Sequence, residues 1–261
     1  MNVVVCVKQV PGTIEVKIDP QTNTLVREGV KGVINPLDAY ALEEGVRLKE
    51  RYGGKVTVIT MGPPQAEESL REAISLGADE AVLVSDRAFA GSDTLATAYV
   101  LARAIEKLGL YDLVLCGRQT LDGDTGQVGP EMSERMGLPF VAYVSNIEEV
   151  EDGRLRARRM VEDGYETVEM FLPGLITVVK EINVPRLPSL RGMMKAKSAQ
   201  IPVWGAVELE VDIARVGTRG SPTWVEKIFF PQRVRRSEML QGKAEDQVEQ
   251  LLEKLRDMQL V

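Results

Sequence analysis

Four short stretches of this chain are rich in apolar and β-branched residues, with charged residues only at their starts: residues 2–7, 55–60, 81–84 and 112–115. Runs of that length with no charged interior position are expected of strands buried on both faces of a parallel sheet. Between them, residues 36–52, 65–76 and 92–108 place apolar side chains at helical spacing, as Leu37, Ala41, Val46 and Leu48 do in the first. The punctuation agrees: Asn35 suits an N-cap, Pro36 the first helical position and Asp38 the dipole-favoured first turn, while Gly77 closes the second helix. The alternation predicts an α/β fold, a doubly wound, mostly parallel sheet with right-handed crossovers. In such sheets ligands sit beyond the C-terminal strand ends, where Cys6, Met61-Gly62 and Cys116-Gly117 converge.

After residue 139 the period falls to two. Residues 141–151, 154–161 and 166–172 alternate, and Asp152-Gly153 and Asp163-Gly164 break them as two-residue hairpin turns do. This predicts an antiparallel meander, followed by an apolar strand at residues 175–180 that returns to the sheet. A smaller hairpin is expected earlier, with residues 15–19 and 24–27 flanking a turn at residues 20–23. From residue 183 the pattern breaks down. The segment NVPRLPSLRGMMKAKS is basic and proline-interrupted, with Leu190, Met193 and Met194 beside Lys195 and Lys197. It reads equally as a solvated loop or as an adaptable protein-docking surface. Residues 207–236 show little periodicity, and residues 243–258 form an amphipathic helix with Val248, Leu251, Leu252 and Leu255 on one stripe. The expected division is an α/β domain over residues 1–205 and a C-terminal arm over residues 206–261, packing on a partner subunit.

Composition narrows the chemistry. At 261 residues, 44% hydrophobic and 27% charged, the chain has the balance of a globular protein. No apolar run approaches the ~18 residues of a membrane span, and the chain enters its first strand without a basic leader. The expectation is a cytoplasmic protein with no direct membrane insertion. A net charge of −7 argues against nucleic acid as a partner. Cys6 and Cys116 each lie in or end an apolar strand, so they are expected buried and unbridged. Histidine is absent, which excludes Ser-His-Asp chemistry, His-ligated zinc and imidazole acid–base steps. No catalytic residue and no metal site are assigned; redox or group-transfer work would need a bound cofactor.

Residues 116–139, CGRQTLDGDTGQVGPEMSERMGLP, run from a strand through a glycine-rich turn into a short helix. Free backbone N–H groups near Thr125, Gly126, Gln127 and Val128 and the positive end of that helix make an anion cradle. Spacing alone does not separate such a cradle from an ordinary tight turn. Asp122 and Asp124 would repel phosphate if they faced it, so they are expected to face ribose hydroxyls, or Asp124 to cap the helix. Pro130 fits the first helical turn. A dinucleotide fingerprint, a full P-loop and an iron–sulfur cysteine cluster are all missing. The site reads as a holder of ligand, not a cleaver.

Five stretches carry a resemblance that extends from Met1 to the C-terminal helix. VVVCVKQV, INPLDAYALEEGVRLKE, LCGRQTLDGDTGQVGP and ARRMVEDGYETVEMFLPGLIT, the last with Arg159, Glu162, Glu166, Pro173 and Thr177, resemble the β subunit of electron-transfer flavoproteins. PSLRGMMKAKS is similar to that family's recognition loop for partner dehydrogenases. The resemblance implies a fold of the adenine-nucleotide-binding type and an αβ heterodimer that carries electrons between a dehydrogenase, acyl-CoA-type or other, and an acceptor. It implies a nucleotide in contact with Cys6, Asn35, Pro36, Leu37, Asp38, Met61, Asp122, Gly123, Asp124, Thr125, Gly126, Gln127 and Val128. It places a dehydrogenase anchor at Leu190 and a C-terminal arm that reaches to the α subunit. The loop form DGDTGQVGP departs from the DDDxNQTGQ of members that hold AMP, and resembles the electron-bifurcating, NADH-linked branch, in which FAD takes that place. Gly123 leaves room for the larger ligand, and the chain lacks the Tyr that AMP-type members carry near Pro11-Gly12-Thr13. FAD is therefore expected, with AMP the alternative, in an electron carrier that oxidises NADH only as a complex. A non-redox nucleotide-binding domain of the stress-protein type is the reading from another class.

Overall fold

The computed structural model describes residues 1–12, 17–18, 25–26, 32–226 and 237–261. They fall into two units, Met1–Glu226 and Lys227–Val261.

The first unit is organised on a nine-stranded sheet. Within it β1 (Asn2–Cys6) is flanked on one side by the strand after the first helix and on the other by the strand that precedes the 118–127 loop. Two short ladders intervene after β1: β2 (Gln9–Pro11) pairs antiparallel with β5 (Gly32–Ile34), and β3 (Lys17–Ile18) with β4 (Leu25–Val26). That last pair matches the expected small hairpin; its turn at residues 20–23, and Thr13, lie outside the described residues. The chain then builds α1 (Pro36–Tyr52), β6 (Lys55–Met61), α2 (Glu67–Leu76), β7 (Glu80–Val84), α3 (Thr94–Leu108), β8 (Leu113–Gly117) and α4 (Val128–Met136). β6 and β7 step away from β1 on one side, whereas β8 pairs with β1 on the other, all parallel. The order therefore reverses between β1 and β8, with Cys6 in register with Cys116 at that point.

The meander follows as β9 (Phe140–Glu151), β10 (Arg154–Val161) and β11 (Gly164–Phe171), and β12 (Gly174–Val178) returns between β9 and β8. β9 is shared: its start pairs parallel with β12 and its end antiparallel with β10. The mostly parallel doubly wound sheet with an antiparallel edge is thus as expected. The predicted strand at residues 175–180 stops at Val178, and Lys180–Ile182 form a 3-10 turn.

One core lies under α1 and α2, with Leu42, Leu70, Leu83 and Leu115 fully buried; the other lies under α3 and α4, with Ile59, Ile105, Met132 and Leu175. Truncating one such leucine to alanine costs about 2–5 kcal/mol, so the sheet is a stiff floor for whatever sits above its C-terminal edge.

Two segments differ from their expected forms. Residues 190–198, read as a loop, are the helix α5 (Leu190–Ser198), whose Ser189 Oγ accepts the Gly192 amide at 3.0 Å. Residues 206–226, expected in the arm, belong to the first unit. A strand β13 (Val203–Trp204) extends the sheet beside β7, and Ala206, Leu209, Val211 and Val216 are buried in the core under α3. The single-turn α6 (Gly217–Gly220) ends this tie. The second unit contributes α7 (Ala244–Asp257), on which Val248, Leu251 and Leu252 are 57%, 47% and 43% exposed.

Candidate functional site

The reversal point between β1 and β8 brings the N-terminus of α1 against the loop at residues 118–127. Gly117 permits the approach: a Cβ there would lie 2.7 Å from the Leu37 carbonyl carbon and 2.9 Å from the Asp38 nitrogen. Asn35, fully buried, occupies the N-cap position of α1 but does not cap with its side chain. Its amide reaches across to the loop instead. Nδ2 donates to the Gln119 carbonyl at 2.9 Å, and Oδ1 accepts the Leu121 amide at 3.2 Å. The expected side-chain cap is absent because these two loop groups claim the amide.

Asp38 sits below this stitch. Its carboxylate accepts the Lys8 amide at 2.7 Å, and burial drives its pKa up to about 7 against hydrogen bonds from Asn35, Lys8 and Gly117 and the Lys8 charge. Cys6 and Cys116 lie beside it, both buried and unbridged. A hydrogen bond with Cys6 and burial push the Cys116 thiol up, so it stays protonated and is no nucleophile. Met61 ends β6 one strand further over, where the Gly62 amide donates to the Val84 carbonyl at 3.0 Å.

The two loop carboxylates are both engaged by neighbours. Lys8 Nζ holds Asp122 at 2.7 Å. Burial works against that charge, yet the Lys8 ammonium and a Thr120 hydrogen bond keep the Asp122 carboxyl below the usual range. Asp124, in left-handed backbone geometry at φ 55°, takes a hydrogen bond from the Gln119 side chain. It does not cap α4, because Gln127 is the N-cap residue and Pro130 falls in the first turn. With both acidic groups compensated, the amides of Thr125, Gly126, Gln127, Val128 and Gly129 are left without an acceptor among the described residues. Thr125 and Gln127 are exposed, Gly123 is open to solvent, and the positive end of α4 points into the same space.

Asn35, Leu37, Asp38, Cys6 and the 122–128 loop therefore meet at one sheet edge, with Pro36 exposed at the start of α1. Sequence reading missed three contributors: Lys8 as the partner of Asp122, Gln119 as the partner of Asp124, and Thr94, whose hydroxyl donates to Glu131 Oε1 at 3.1 Å. The Asp93-Thr94 cap signal could have found the last; side-chain pairing at the loop left no spacing to read.

The second region singled out in the sequence is α5. Leu190 and Met194 are 79% and 73% exposed, and Met193 is 41% exposed. Lys195 is not free, since its Nζ donates to the Ala78 carbonyl at 3.0 Å and lies 3.7 Å from Asp79; Lys197 is exposed.

Comparison with known proteins adds a frame to this geometry. A family described as "Electron transfer flavoprotein domain" matches residues 22–209. An "Electron transfer flavoprotein subunit beta" of Thermoanaerobacterium thermosaccharolyticum is 50% identical over the whole of both chains. A "Caffeyl-CoA reductase-Etf complex subunit CarD" of Acetobacterium woodii is 46% identical, again over both full lengths. "Protein FixA" of Azotobacter vinelandii is 44% identical over 94% of this chain and 90% of its own. Among the described residues no helix is long and apolar enough to cross a membrane.

Proposed function

The chain belongs to the electron transfer flavoprotein family, as a β subunit, and from that premise we propose that its cradle holds FAD and that the αβ heterodimer divides the two electrons of NADH between two acceptors. One observation carries the reading. The 122–129 segment offers a run of amides at a helix N-terminus that are unpaired among the described residues, while the Lys8 ammonium offsets the Asp122 charge and the Gln119 side chain holds the Asp124 carboxylate by a hydrogen bond. That arrangement fits a pyrophosphate better than any neutral ligand.

FAD bound there supplies exchange of electrons singly or in pairs. The chain's own residues do the holding. The amides of Thr125, Gly126, Gln127 and Val128 receive phosphate oxygens, with the Thr125 hydroxyl as a further donor. Asn35 fixes the loop against α1, and Asp38 fixes Lys8 and Gly117 beneath it. The buried, unbridged Cys6 and Cys116 make the floor, where burial and the Cys6 hydrogen bond keep the Cys116 thiol protonated, and Gly123 leaves space above the loop. AMP would fit the same amides; the short DGDTGQVGP form and the open position at Gly123 favour the larger ligand.

The α subunit is the partner for α7, whose Val248, Leu251 and Leu252 are exposed among the described residues. The exposed Leu190, Met193 and Met194 are the docking surface for a dehydrogenase. The caffeyl-CoA reductase complex of the Acetobacterium relative supports a partner acting on a CoA thioester. All of this is placed in the cytoplasm, where NADH is available.

Anaerobic NADH oxidation by the heterodimer, with its dehydrogenase and a low-potential acceptor both present, tests the proposal. One electron should reach the low-potential acceptor for each one delivered through the dehydrogenase. Oxidation that runs at full rate with either acceptor alone would overturn it.

A further inference from the structure

Away from the cradle, a cavity of about 170 Å³ opens between α3, α4 and residues 213–220, lined by Leu95, Tyr99, Arg135, Arg215, Arg219 and Gly220. Three guanidinium groups face it in a chain whose net charge is −7. Two of them lie against one ring: the Arg135 and Arg215 guanidinium carbons are 4.9 Å and 4.4 Å from the Tyr99 centroid. Tyr99 is itself fixed, since its hydroxyl accepts the Asp212 amide at 2.9 Å.

Glu106 and Glu131, the carboxylates in the field of Arg135, form no ion pair with it. None of the three forms an ion pair with a described residue, and the buried Arg135 Nε has no acceptor. No carboxylate of a described residue comes within ion-pair distance of them. Glu106 pairs with Arg103 at 2.8 Å, and Glu131, one turn before Arg135, takes the Thr94 hydroxyl on Oε1 and leaves Oε2 unpaired. Burial and the Arg215 charge press the Arg135 guanidinium below its ordinary value. An arrangement that repels itself and leaves a fork of N–H donors unpaired is what an oxyanion would relieve, because guanidinium groups match carboxylate and phosphate oxygens in pairs.

We propose that Arg135, Arg215 and Arg219, held around Tyr99, form an oxyanion site separate from the nucleotide cradle, sized for one phosphate or carboxylate group. Arg135 and Arg215 both lie against the Tyr99 ring, and Arg219, on α6, lines the same cavity. Free phosphate and a carboxylate side chain of the partner subunit are the two sources of such a group, and they are separable.

The test uses the αβ heterodimer with its nucleotides in place, so that the cradle is filled, and inorganic phosphate as probe. Arg219→Gln is the primary variant because Arg219 is exposed and stands outside the Tyr99 stack; Arg215→Lys, which keeps the charge and loses the fork, is the second. If the anion is free, phosphate titrated into the wild type should give saturable binding and a rise in Tm. Arg219→Gln should weaken it at least tenfold and Arg215→Lys less, with flavin content unchanged. If the partner supplies the group, phosphate should not bind, and Arg219→Gln should weaken the heterodimer at least tenfold at low salt and little at high salt. Equal phosphate response and equal heterodimer affinity in wild type and Arg219→Gln would overturn the site, whatever the flavin content proves to be.

Discussion

The cradle at residues 117–129 and the helix α7 are both surface features, and they are held in opposite ways. In the cradle nearly every polar side chain is committed: Asn35 to the Gln119 and Leu121 backbone, Lys8 to Asp122, Gln119 to Asp124. What it leaves open is a row of amides. On α7 the polar groups are satisfied locally, as in the Lys254–Glu238 pair at 2.8 Å, and what is left open is an apolar stripe. The first pattern pre-organises donors for a charged ligand and lowers the cost of binding it. The second leaves apolar area suited to packing against another protein surface. A site for a ligand and a site for a subunit are thus distinguished by which kind of group the chain has left unpaired.

That contrast can be broken from either side. The largest effect is expected on α7. Replacing Leu251 and Leu252 together by Asp should weaken the heterodimer by about 4 kcal/mol, roughly a thousandfold. Sedimentation would show separated subunits, while the unfolding of the first unit stays unchanged. An intact heterodimer would mean that the stripe is covered by something else. In the cradle, Gly117→Ala should cost about 1–3 kcal/mol by overpacking against Leu37 and Asp38. It should also release nucleotide from the purified complex; full nucleotide content would show that the loop does not depend on this approach. Leu190→Ala sits between the two regions in kind, an exposed side chain on an ordered helix. It should weaken coupling to the dehydrogenase by about 1–3 kcal/mol with flavin content unchanged, measured as the concentration dependence of flavin reduction.

The smallest change, when read over a single pH unit, concerns Asp38. The Asp38 carboxyl is raised to about 7 in the folded protein, from a carboxylate value near 4 when unfolded. The folded state therefore binds more protons between those values, and stability falls as pH rises from about 4 to 7. Asp38→Asn removes that term. The difference in unfolding free energy between wild type and variant should change by roughly 1 kcal/mol between pH 5 and pH 6 and level off above pH 7. A flat difference would show that Asp38 is ionised throughout.

Much of this was legible before the fold was known, and the reasons are local. The buried strands announce themselves because parallel strands covered on both faces have no polar positions, as at Val3, Val4 and Val5. The meander is legible through Asp152-Gly153, where Asp152 takes a φ of 48° and Gly153 one of 71°. The helix α5 was hidden because Gly192 interrupts its first turn and two prolines precede it. Gly192 stands where a Cβ would strike the Ser75 carbonyl of α2, so packing selects it against propensity. The end of the first unit was hidden for another reason. Ala206, Leu209, Val211 and Val216 are buried from irregular backbone, which has no period to read. In the candidate site the motif gave the loop and the start of α1 but not their stitching. Lys8 and Asp122 are 114 residues apart, and no spacing rule links them.

The account rests most directly on what the cradle holds. Extracting and counting flavin and adenine nucleotide from the purified, undenatured αβ heterodimer decides it. The account predicts two FAD per heterodimer and no AMP. One FAD with one AMP would contradict it.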